Sequence, residues 1–349
     1  MEKDFYSEAG VSSTEEESAL KGLLKWVNAT FPLRDNIGKA LLPIGFFANV
    51  VDTGLGIGVA ISTDGVGSKT LIAELLNKYD TIGIDCIAMN VNDILCVGAE
   101  PVSFVDYIAV NKIDKVKIEE IGKGLYEGAK LANINIPGGE IAQVKDILHE
   151  GDNSFDIIGT AIGFVKPDKI ITGKNIEDGD IIIGLKSSGI HSNGFTLARK
   201  VLLSDKNYDD NILLELLTPT RIYVKEVLAL INTVNVKGLA NITGDGFLNI
   251  IRFSKKAKYV INELPEPQPI FRKIQEKGNI PLHEMYKDFN MGLGFCVVVS
   301  ENDYPKAEKT LKDLNADFLK IGYIEEAEEK SIEIKPLKLK STGEEFREI

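Results

Sequence analysis

Cysteine is scarce in this chain, and long apolar runs are absent from it. Three cysteines among 349 residues cannot build a disulfide framework, and no C-x-x-C pair suggests a metal site. The longest apolar stretches, such as residues 181–185 and 295–299, fall far short of the roughly 20 residues that a membrane-spanning helix needs. The first residues open no apolar segment typical of a secretory signal. The sequence therefore predicts a reduced, cytoplasmic chain without a membrane partner.

Positive charge is also in short supply. The 40 lysines and arginines stand against 52 aspartates and glutamates, which gives a net charge of −12 at neutral pH. Nucleic-acid binding needs a sizeable cationic surface, so the composition disfavours a nucleic-acid partner. A phosphorylated substrate would have to be held locally, by loop amides, a few cations, or Mg²⁺ on carboxylates. The apolar and charged fractions, 44% and 26%, are those of an ordinary globular chain long enough for two domains.

Strand-like and helix-like segments alternate along the first half of the chain. The hydrophobic spacing predicts three strands, at 57–63, 102–110 and 154–165. It also predicts two helices, at 81–97 and 113–133. Between the second helix and the third strand, Pro137, Gly138 and Gly139 are turn formers, and we expect a turn leading to Glu140.

The second half of the chain continues this alternation. A polar, turn-rich stretch at 166–179 precedes it, and we place the boundary between domains 1–166 and 167–349 there. Strands are expected at 180–185 and 295–300, and helices at 195–203 and 221–231. The pattern predicts a mixed α/β (α+β) fold in two lobes.

A glycine-rich loop, Asp64-Gly65-Val66-Gly67-Ser68-Lys69, follows the first predicted strand. Glycines let backbone amides approach a phosphate, and Lys69 could neutralise one of its oxygens. The spacing is not that of a Walker A motif. A tight turn with a solvated lysine explains the same residues, and the spacing alone leaves both interpretations open.

Polar residues interrupt the apolar helix pattern at Asn90, Asn92 and Asp93. Such groups cost free energy in an apolar setting unless they are satisfied. They could hydrogen-bond near a helix end. Alternatively, Asp93 could join Asp64 and Glu140 around a hard cation, since Mg²⁺ prefers carboxylate and phosphate oxygens.

One of the three histidines, His191, lies in a polar loop at 187–194 that glycines interrupt. Its unperturbed pKa near neutrality would suit proton transfer. The neighbouring amides and Ser192 could equally bind an anion at a helix start, and a plain surface turn is a third interpretation. His283 has a weaker case than His191 from composition, and His149 is expected in a solvated loop.

Together these loops resemble the phosphoribosylformylglycinamidine cyclo-ligase family. The resemblance covers nearly the whole chain, and its segments occur in the order of the family, at 64–69, 92–94, 98–101, 138–140, 187–194, 217–225, 242–244, 283–286 and 289–292. One such loop is a weak signal, whereas this many in order are highly specific.

The resemblance implies both a fold and a reaction. Members of this family are homodimers whose N-terminal lobes build a shared β-barrel, with ATP near the subunit interface and a C-terminal α/β lobe closing a cleft. They convert formylglycinamidine ribonucleotide, a small phosphoribosyl substrate, and ATP into aminoimidazole ribonucleotide, ADP and phosphate in de novo purine biosynthesis. ATP and Mg²⁺ are the implied cofactors.

The resemblance also implies a nucleotide site. Its residues would be Asp64, Gly65, Gly67, Lys69, Asn92 and Asp93. Among them, Asp64 and Asp93 would hold Mg²⁺, and Lys69 would contact the phosphates of ATP.

A catalytic and substrate site is implied beside it. Glu140 would bind metal or substrate, and Asp93 would act in catalysis through the metal. His191, with Ser188 and Asn193, would orient the substrate or shuttle a proton.

Two other interpretations are weighed against this one. The first is another ATP-dependent enzyme of the same superfamily, of the thiamine-monophosphate kinase or selenophosphate synthetase type. Those relatives are not expected to carry the Ser-Gly-x-His-Ser-Asn-Gly and His-Glu-Met-Tyr loops together. The second is a catalytically silent nucleotide-binding paralogue, which the single glycine in 41–47 and Ile141 motivate and the retained site residues oppose.

Overall fold

The computed structural model describes residues 13–145, 147–148, 154–204 and 209–349. His149 lies outside the described residues. Two separate sheets organise the chain, one built from strands before residue 166 and one from strands after residue 180. The predicted domain boundary lies in the connection between them. Among the described residues, no helix is both long and apolar enough to cross a membrane.

The first sheet has five strands in the order β1-β2-β5-β3-β4. They are β1 (Asn49–Asp52), β2 (Gly58–Gly65), β3 (Glu100–Val110), β4 (Asn135–Gln143) and β5 (Phe155–Val165). The helices of this half are α1 (Ser13–Asn28), α2 (Thr70–Leu76), α3 (Ile82–Cys96) and α4 (Lys115–Ala132). Neighbouring strands are antiparallel except β3 and β4, which are parallel because α4 carries the chain back between them.

Helix α3 is buried on nearly all sides, which explains why the segment from 81 to 97 is apolar throughout. One side of α3 covers the inner face of the first sheet, where Phe104, Ile157 and Ala161 are buried. Another side meets α4 so closely that a Cβ on Gly83 would overlap the backbone of Leu125. The predicted long helix is confirmed, with bounds within one residue of the expectation.

The outer face of the first sheet is apolar and exposed. Its large apolar side chains are between 40% and 48% exposed, and they are Ile61, Val105, Tyr107, Ile158 and Phe164. The edge strands of the sheet are β1, which residues 38–41 cover with backbone hydrogen bonds, and β4, so the described residues of one chain form an open sheet rather than a closed barrel.

The second sheet has eight strands in the order β13-β12-β11-β8-β10-β6-β9-β7. They are β6 (Ile181–Lys186), β7 (Val236–Asn241), β8 (Ala257–Ile261), β9 (Leu293–Val299), β10 (Phe318–Glu326), β11 (Ser331–Ile334), β12 (Leu339–Ser341) and β13 (Arg347–Glu348). The helices of this half are α5 (Phe195–Leu202), α6 (Asp210–Leu216), α7 (Val224–Thr233), α8 (Pro269–Gly278), α9 (Leu282–Asp288) and α10 (Tyr304–Asp313). The chain is therefore a mixed α/β protein with two sheets.

The prediction of a turn from Pro137 to Glu140 is wrong, because these residues belong to strand β4. Gly139 lies opposite Asp106 of β3, and a Cβ on Gly139 would overlap the Asp106 carboxylate. The glycine is thus required by the close approach of a neighbouring side chain rather than by a reversal of the chain.

Candidate active site

Helix α3 carries polar side chains to the junction between the two lobes. Asp93, near its C-terminal end, accepts a hydrogen bond at Oδ1 from Nδ2 of Asn241, at 2.9 Å. Asn241 ends strand β7 of the other lobe. The pKa of Asp93 is raised to about 7, mainly by burial; the Asn241 hydrogen bond and the charge of Arg252 oppose this shift, and the charge of Asp64 contributes to it. Asp64 is the next-to-last residue of strand β2, and burial raises its pKa as well.

The Asp64 and Asp93 pair fits a divalent cation. Two carboxylates that repel each other and are both partly desolvated would be relieved by a cation with oxygen preference, such as Mg²⁺. In the ranges that the structure describes, no group of three or more His, Cys, Asp or Glu side chains forms a metal cluster. A cation held here would therefore complete its shell with phosphate oxygens and water.

A third carboxylate, Asp106, shares the face of the sheet that carries Asp64. Both residues lie opposite Gly159 in the strand register, so they are two strands apart, which corresponds to about 10 Å. Burial raises the pKa of Asp106 too. Sequence analysis missed this residue. The sequence signal for it was the alternation of side chains between the two faces of the sheet along β3, which places the Asp106 carboxylate on the inner face.

Glu140 is not brought to Asp64 and Asp93 within one chain. It pairs with Tyr107 in the β3–β4 register, and the adjacent Gly139 pairs with Asp106. Because successive residues of a strand face opposite sides, Glu140 lies on the outer face of the sheet and Asp64 on the inner face. The sequence-based grouping of Asp64, Asp93 and Glu140 around one cation is therefore not found in the single chain.

Lys69 does not face the phosphate position expected for it. Its side chain is fully buried, and Nζ donates to Oδ1 of Asp85 at 2.8 Å, to the carbonyl of His191 at 3.0 Å and to the carbonyl of Thr218 at 2.6 Å. All three ammonium hydrogens are used, so none remains for ATP in this conformation.

Asn92 is occupied by the protein in the same way. Its Nδ2 donates to the carbonyl of Arg221 at 2.9 Å, and its Oδ1 accepts from the backbone N–H of Tyr223 at 3.1 Å. The polar interruption of the α3 pattern thus fastens the first lobe to a loop of the second. Gly67 differs, because it has a φ of 66° and a Cβ there would meet no atom within 4 Å. The space at Gly67 is therefore open to a ligand, whereas the backbone N–H groups of Gly65 and Val66 already donate to Oδ1 of Asp64 and to the carbonyl of Ile157.

His191 is buried rather than displayed on a surface loop. The side chain is 3% exposed, and Nε2 accepts a hydrogen bond from the backbone N–H of Ser188 at 3.3 Å. Burial, together with the charges of Lys69 and Arg221, lowers the pKa of His191 to about 3. The imidazole is therefore neutral at physiological pH.

Ser188 and Asn193 flank this histidine on the same loop. Oγ of Ser188 donates to the carbonyl of Pro219 at 2.6 Å. Asn193 lies beside Gly244, with its Oδ1 at 3.4 Å from the position that a Cβ on that glycine would take. The structure thus assembles 187–194, 217–221 and 243–246 into one group of loops on the second lobe.

The low pKa of His191 predicts a distinctive stability profile. The unfolded chain takes up a proton below the ordinary pKa of 6.5, whereas the folded chain does so only near 3. The stabilisation that depends on a neutral His191 is present above pH 6.5 and falls as the pH decreases, by about 2 kcal/mol between pH 7 and pH 5. In urea titrations, His191→Asn should lose less stability over this interval than the parent. His283→Asn is the control variant. If the unfolding free energy of His191→Asn changed with pH as much as that of the parent, the prediction would be contradicted.

Comparison with known proteins agrees with this geometry. The family model "AIR synthase related protein, N-terminal domain" matches residues 47–165, and the model of the corresponding C-terminal domain matches residues 177–335. The structure described as AaThiL complexed with AMPPCP and TMP superimposes with a TM-score of 0.62 at 14% identity, covering 93% of this chain and 96% of that one. Thiamine monophosphate kinase from Aquifex aeolicus gives 0.59 at 16% identity, over 88% and 94%. The two domains and the fold are those of the AIR synthase related class.

The sequences of curated relatives identify the family within that class. A protein of Methanocaldococcus jannaschii named phosphoribosylformylglycinamidine cyclo-ligase is 49% identical over 329 residues, 91% of this chain and 91% of the relative. A protein of the same name from Thermococcus kodakarensis is 49% identical over 319 residues, 90% of this chain and 92% of the relative. The chain belongs to the phosphoribosylformylglycinamidine cyclo-ligase family.

Proposed function

We propose that this chain catalyses the ATP-dependent ring closure of formylglycinamidine ribonucleotide to aminoimidazole ribonucleotide in de novo purine biosynthesis. The observation that carries the proposal is the 49% identity to relatives of that name over about nine-tenths of both chains. The position of the Asp64 and Asp93 pair at the lobe junction supports it. The likeness to thiamine monophosphate kinase, at 16% identity, concerns the fold alone and favours no second activity.

The reaction asks for positioning and charge neutralisation more than for a protein nucleophile. The formyl oxygen of the substrate attacks the γ-phosphorus of ATP, and ADP leaves. The amidine nitrogen then attacks the activated carbon, the C–O bond breaks, phosphate departs, and the nitrogen loses a proton. The phosphorylation step makes a poor leaving group into a good one.

Within this proposal, the carboxylates of Asp64 and Asp93 hold Mg²⁺, which neutralises phosphate charge when it is bound. The loop of Gly65 and Gly67 receives the phosphates of ATP, and the open space at Gly67 supports this assignment. His191 stays neutral and, with Ser188 and Asn193, orients the phosphoribosyl substrate. A base with a pKa of about 3 is too weak for efficient proton transfer near pH 7, so we assign it orientation rather than a proton shuttle.

We further propose that the active form is a homodimer in which two first sheets face each other and close a shared barrel. The support is the apolar outer face of Ile61, Val105, Tyr107, Ile158 and Phe164, which a lone chain would leave in water. Glu140 lies on that same face and would reach the subunit boundary. We place the reaction in the cytoplasm, which the three buried free thiols support.

ADP release should require ATP, Mg²⁺ and formylglycinamidine ribonucleotide together. The reason is that the site offers carboxylates and loop amides but needs the formyl oxygen to accept the phosphoryl group. A coupled ADP assay, with the ribonucleotide product followed in parallel, measures this. Thiamine monophosphate in place of the amidine is the matched control and should give no release above background. Equal release with thiamine monophosphate would point to a kinase instead.

A further inference from the structure

An ion pair that is completely shielded from water lies where the two lobes meet. Nζ of Lys69 and Oδ1 of Asp85 are 2.8 Å apart, and both side chains have no exposed surface. Lys69 precedes helix α2, and Asp85 lies in the first turns of α3, so both residues belong to the first lobe. A buried pair of this kind carries a large desolvation cost and persists only when further hydrogen bonds satisfy it.

Those further hydrogen bonds come from the second lobe. Oδ1 of Asp85 accepts from the backbone N–H of Thr220 at 2.7 Å, from Oγ1 of Thr220 at 2.6 Å and from Oγ of Ser192 at 3.2 Å. Oγ of Ser192 and Oγ1 of Thr220 are themselves 3.0 Å apart. One carboxylate oxygen thus collects donors from two different loops of the other lobe.

Lys69 completes the link by holding the same two loops through their carbonyls. It donates to the carbonyl of His191 in one loop and to that of Thr218 in the other. His191 has a φ of 62°, a left-handed conformation that costs energy for a residue with a Cβ. The carbonyl contact from Lys69 therefore fixes a backbone conformation that the loop would not adopt by itself.

We propose that Lys69 and Asp85 are a positioning pair, which locks loops 187–194 and 217–221 into the geometry that binds the phosphoribosyl substrate. Both side chains are fully buried, and their hydrogen-bond partners are protein groups. The pair acts through Ser188 and His191, whose side chains point from the loops that it holds. This inference rests on the proposed function for its kinetic test, and a structural test that needs no substrate stands beside it.

The kinetic test compares Lys69→Met with the parent. A positioning role predicts that KM for formylglycinamidine ribonucleotide rises about tenfold or more, because contacts to a buried charge are lost and the loops relax. The affinity for a non-hydrolysable ATP analogue, measured by calorimetry, should change by less than about threefold. The opposite split, with weaker binding of the analogue and an unchanged KM for the amidine, would show a phosphate contact and overturn the proposal.

The structural test is amide hydrogen exchange on the same variant without any ligand. Loops 187–194 and 217–221 should exchange about tenfold faster than in the parent, while strands β2, β3 and β5 stay unchanged. Lys78→Met is the matched control, because Lys78 forms a half-exposed pair with Asp80 at 2.6 Å. Unchanged exchange in both loops would overturn the proposal even if the parent proved to lack ring-closing activity.

Asp85→Asn keeps the proposal testable if Lys69→Met does not fold. An asparagine retains an acceptor oxygen for Thr220, Ser192 and Lys69 but removes the counter-charge. Asp85→Asn should therefore fall between the parent and Asp85→Ala both in KM for the amidine substrate and in loop exchange. If Asp85→Asn raised KM for the amidine and the loop exchange rates as much as Asp85→Ala does, positioning through hydrogen bonds would not be the role of the pair.

Discussion

Replacing Asp93 by asparagine should reduce ring closure by about two orders of magnitude or more while the fold survives. The carboxylate lies at the junction of the two lobes, the charge of Asp64 raises its pKa, and its Oδ1 accepts a hydrogen bond from Asn241. An asparagine has nearly the same shape and can still accept that hydrogen bond, but it carries no charge for a cation. The loss should appear in kcat and in the Mg²⁺ concentration needed for half-maximal rate.

Stability should change in the opposite direction to activity. The pKa of Asp93 is about 7 in the folded chain against an ordinary 3.8, so folding favours the protonated form. The stabilisation due to this proton is complete below pH 3.8 and is lost as the pH rises to about 7. Asp93→Asn has no such loss. Without Mg²⁺, the Tm of Asp93→Asn relative to that of the parent should rise by roughly a few degrees between pH 4 and pH 7. Above pH 7 this Tm difference should stay constant.

The exposed Asp168 supplies the control for both measurements. Asp168→Asn should leave kcat, the Mg²⁺ requirement and the pH dependence of Tm as they are in the parent. If Asp93→Asn kept full activity and melted at a lower temperature at every pH, Asp93 would be a structural residue of the helix end, and the metal assignment would fail.

The sequence predicts the elements of this fold well where hydrophobic spacing is strong. The apolar segment at 81–97 exceeds the length of an ordinary strand, and it forms helix α3. Strand β5 and strand β6 also begin and end within one residue of the expected bounds. These segments face a sheet or helix over their whole length, so their pattern reports the packing directly.

Local spacing fails where a distant partner decides the conformation. Strand β4 contains turn formers, and its Gly139 is explained only by Asp106 on the neighbouring strand. Lys69 reads as a solvated or phosphate-binding lysine because its partners Asp85, His191 and Thr218 lie 16, 122 and 149 residues away. A buried environment of this kind cannot be read from the six residues around the lysine.

The same distinction between local sequence and distant partners applies to the residues of the candidate site. The family resemblance implies site roles for Asp64, Asp93 and His191, and the structure places these residues at or near the lobe junction. It could not indicate that His191 is buried and neutral, since the burial arises from packing against Tyr223 and Gly294. Nor could it show that Glu140 faces the outside of the sheet, because that depends on the register of β4.

Placing an aspartate at Ile158 should convert a dimer into monomers and abolish activity with it. Ile158 lies on β5, the central strand of the first sheet, and is 40% exposed on the apolar outer face. In a lone chain the new carboxylate would remain in water, so the monomer should fold and keep its Tm within a few degrees. In the proposed barrel it would be buried without a partner, which costs about 4 kcal/mol or more, or a thousandfold in the dimer dissociation constant.

Light scattering at micromolar concentration, with activity measured on the same samples, distinguishes the outcomes for Ile158→Asp. The matched control is Val116→Asp, since Val116 is 67% exposed near the start of α4 and lies away from the outer face of the sheet. An aspartate in the first turn of a helix is favourable, so this variant should stay dimeric and active. A parent that is an active monomer, or an Ile158→Asp variant that remains an active dimer, would refute the shared barrel. Monomeric Ile158→Asp beside dimeric Val116→Asp would instead show that the exposed apolar face, rather than added charge in general, joins the subunits.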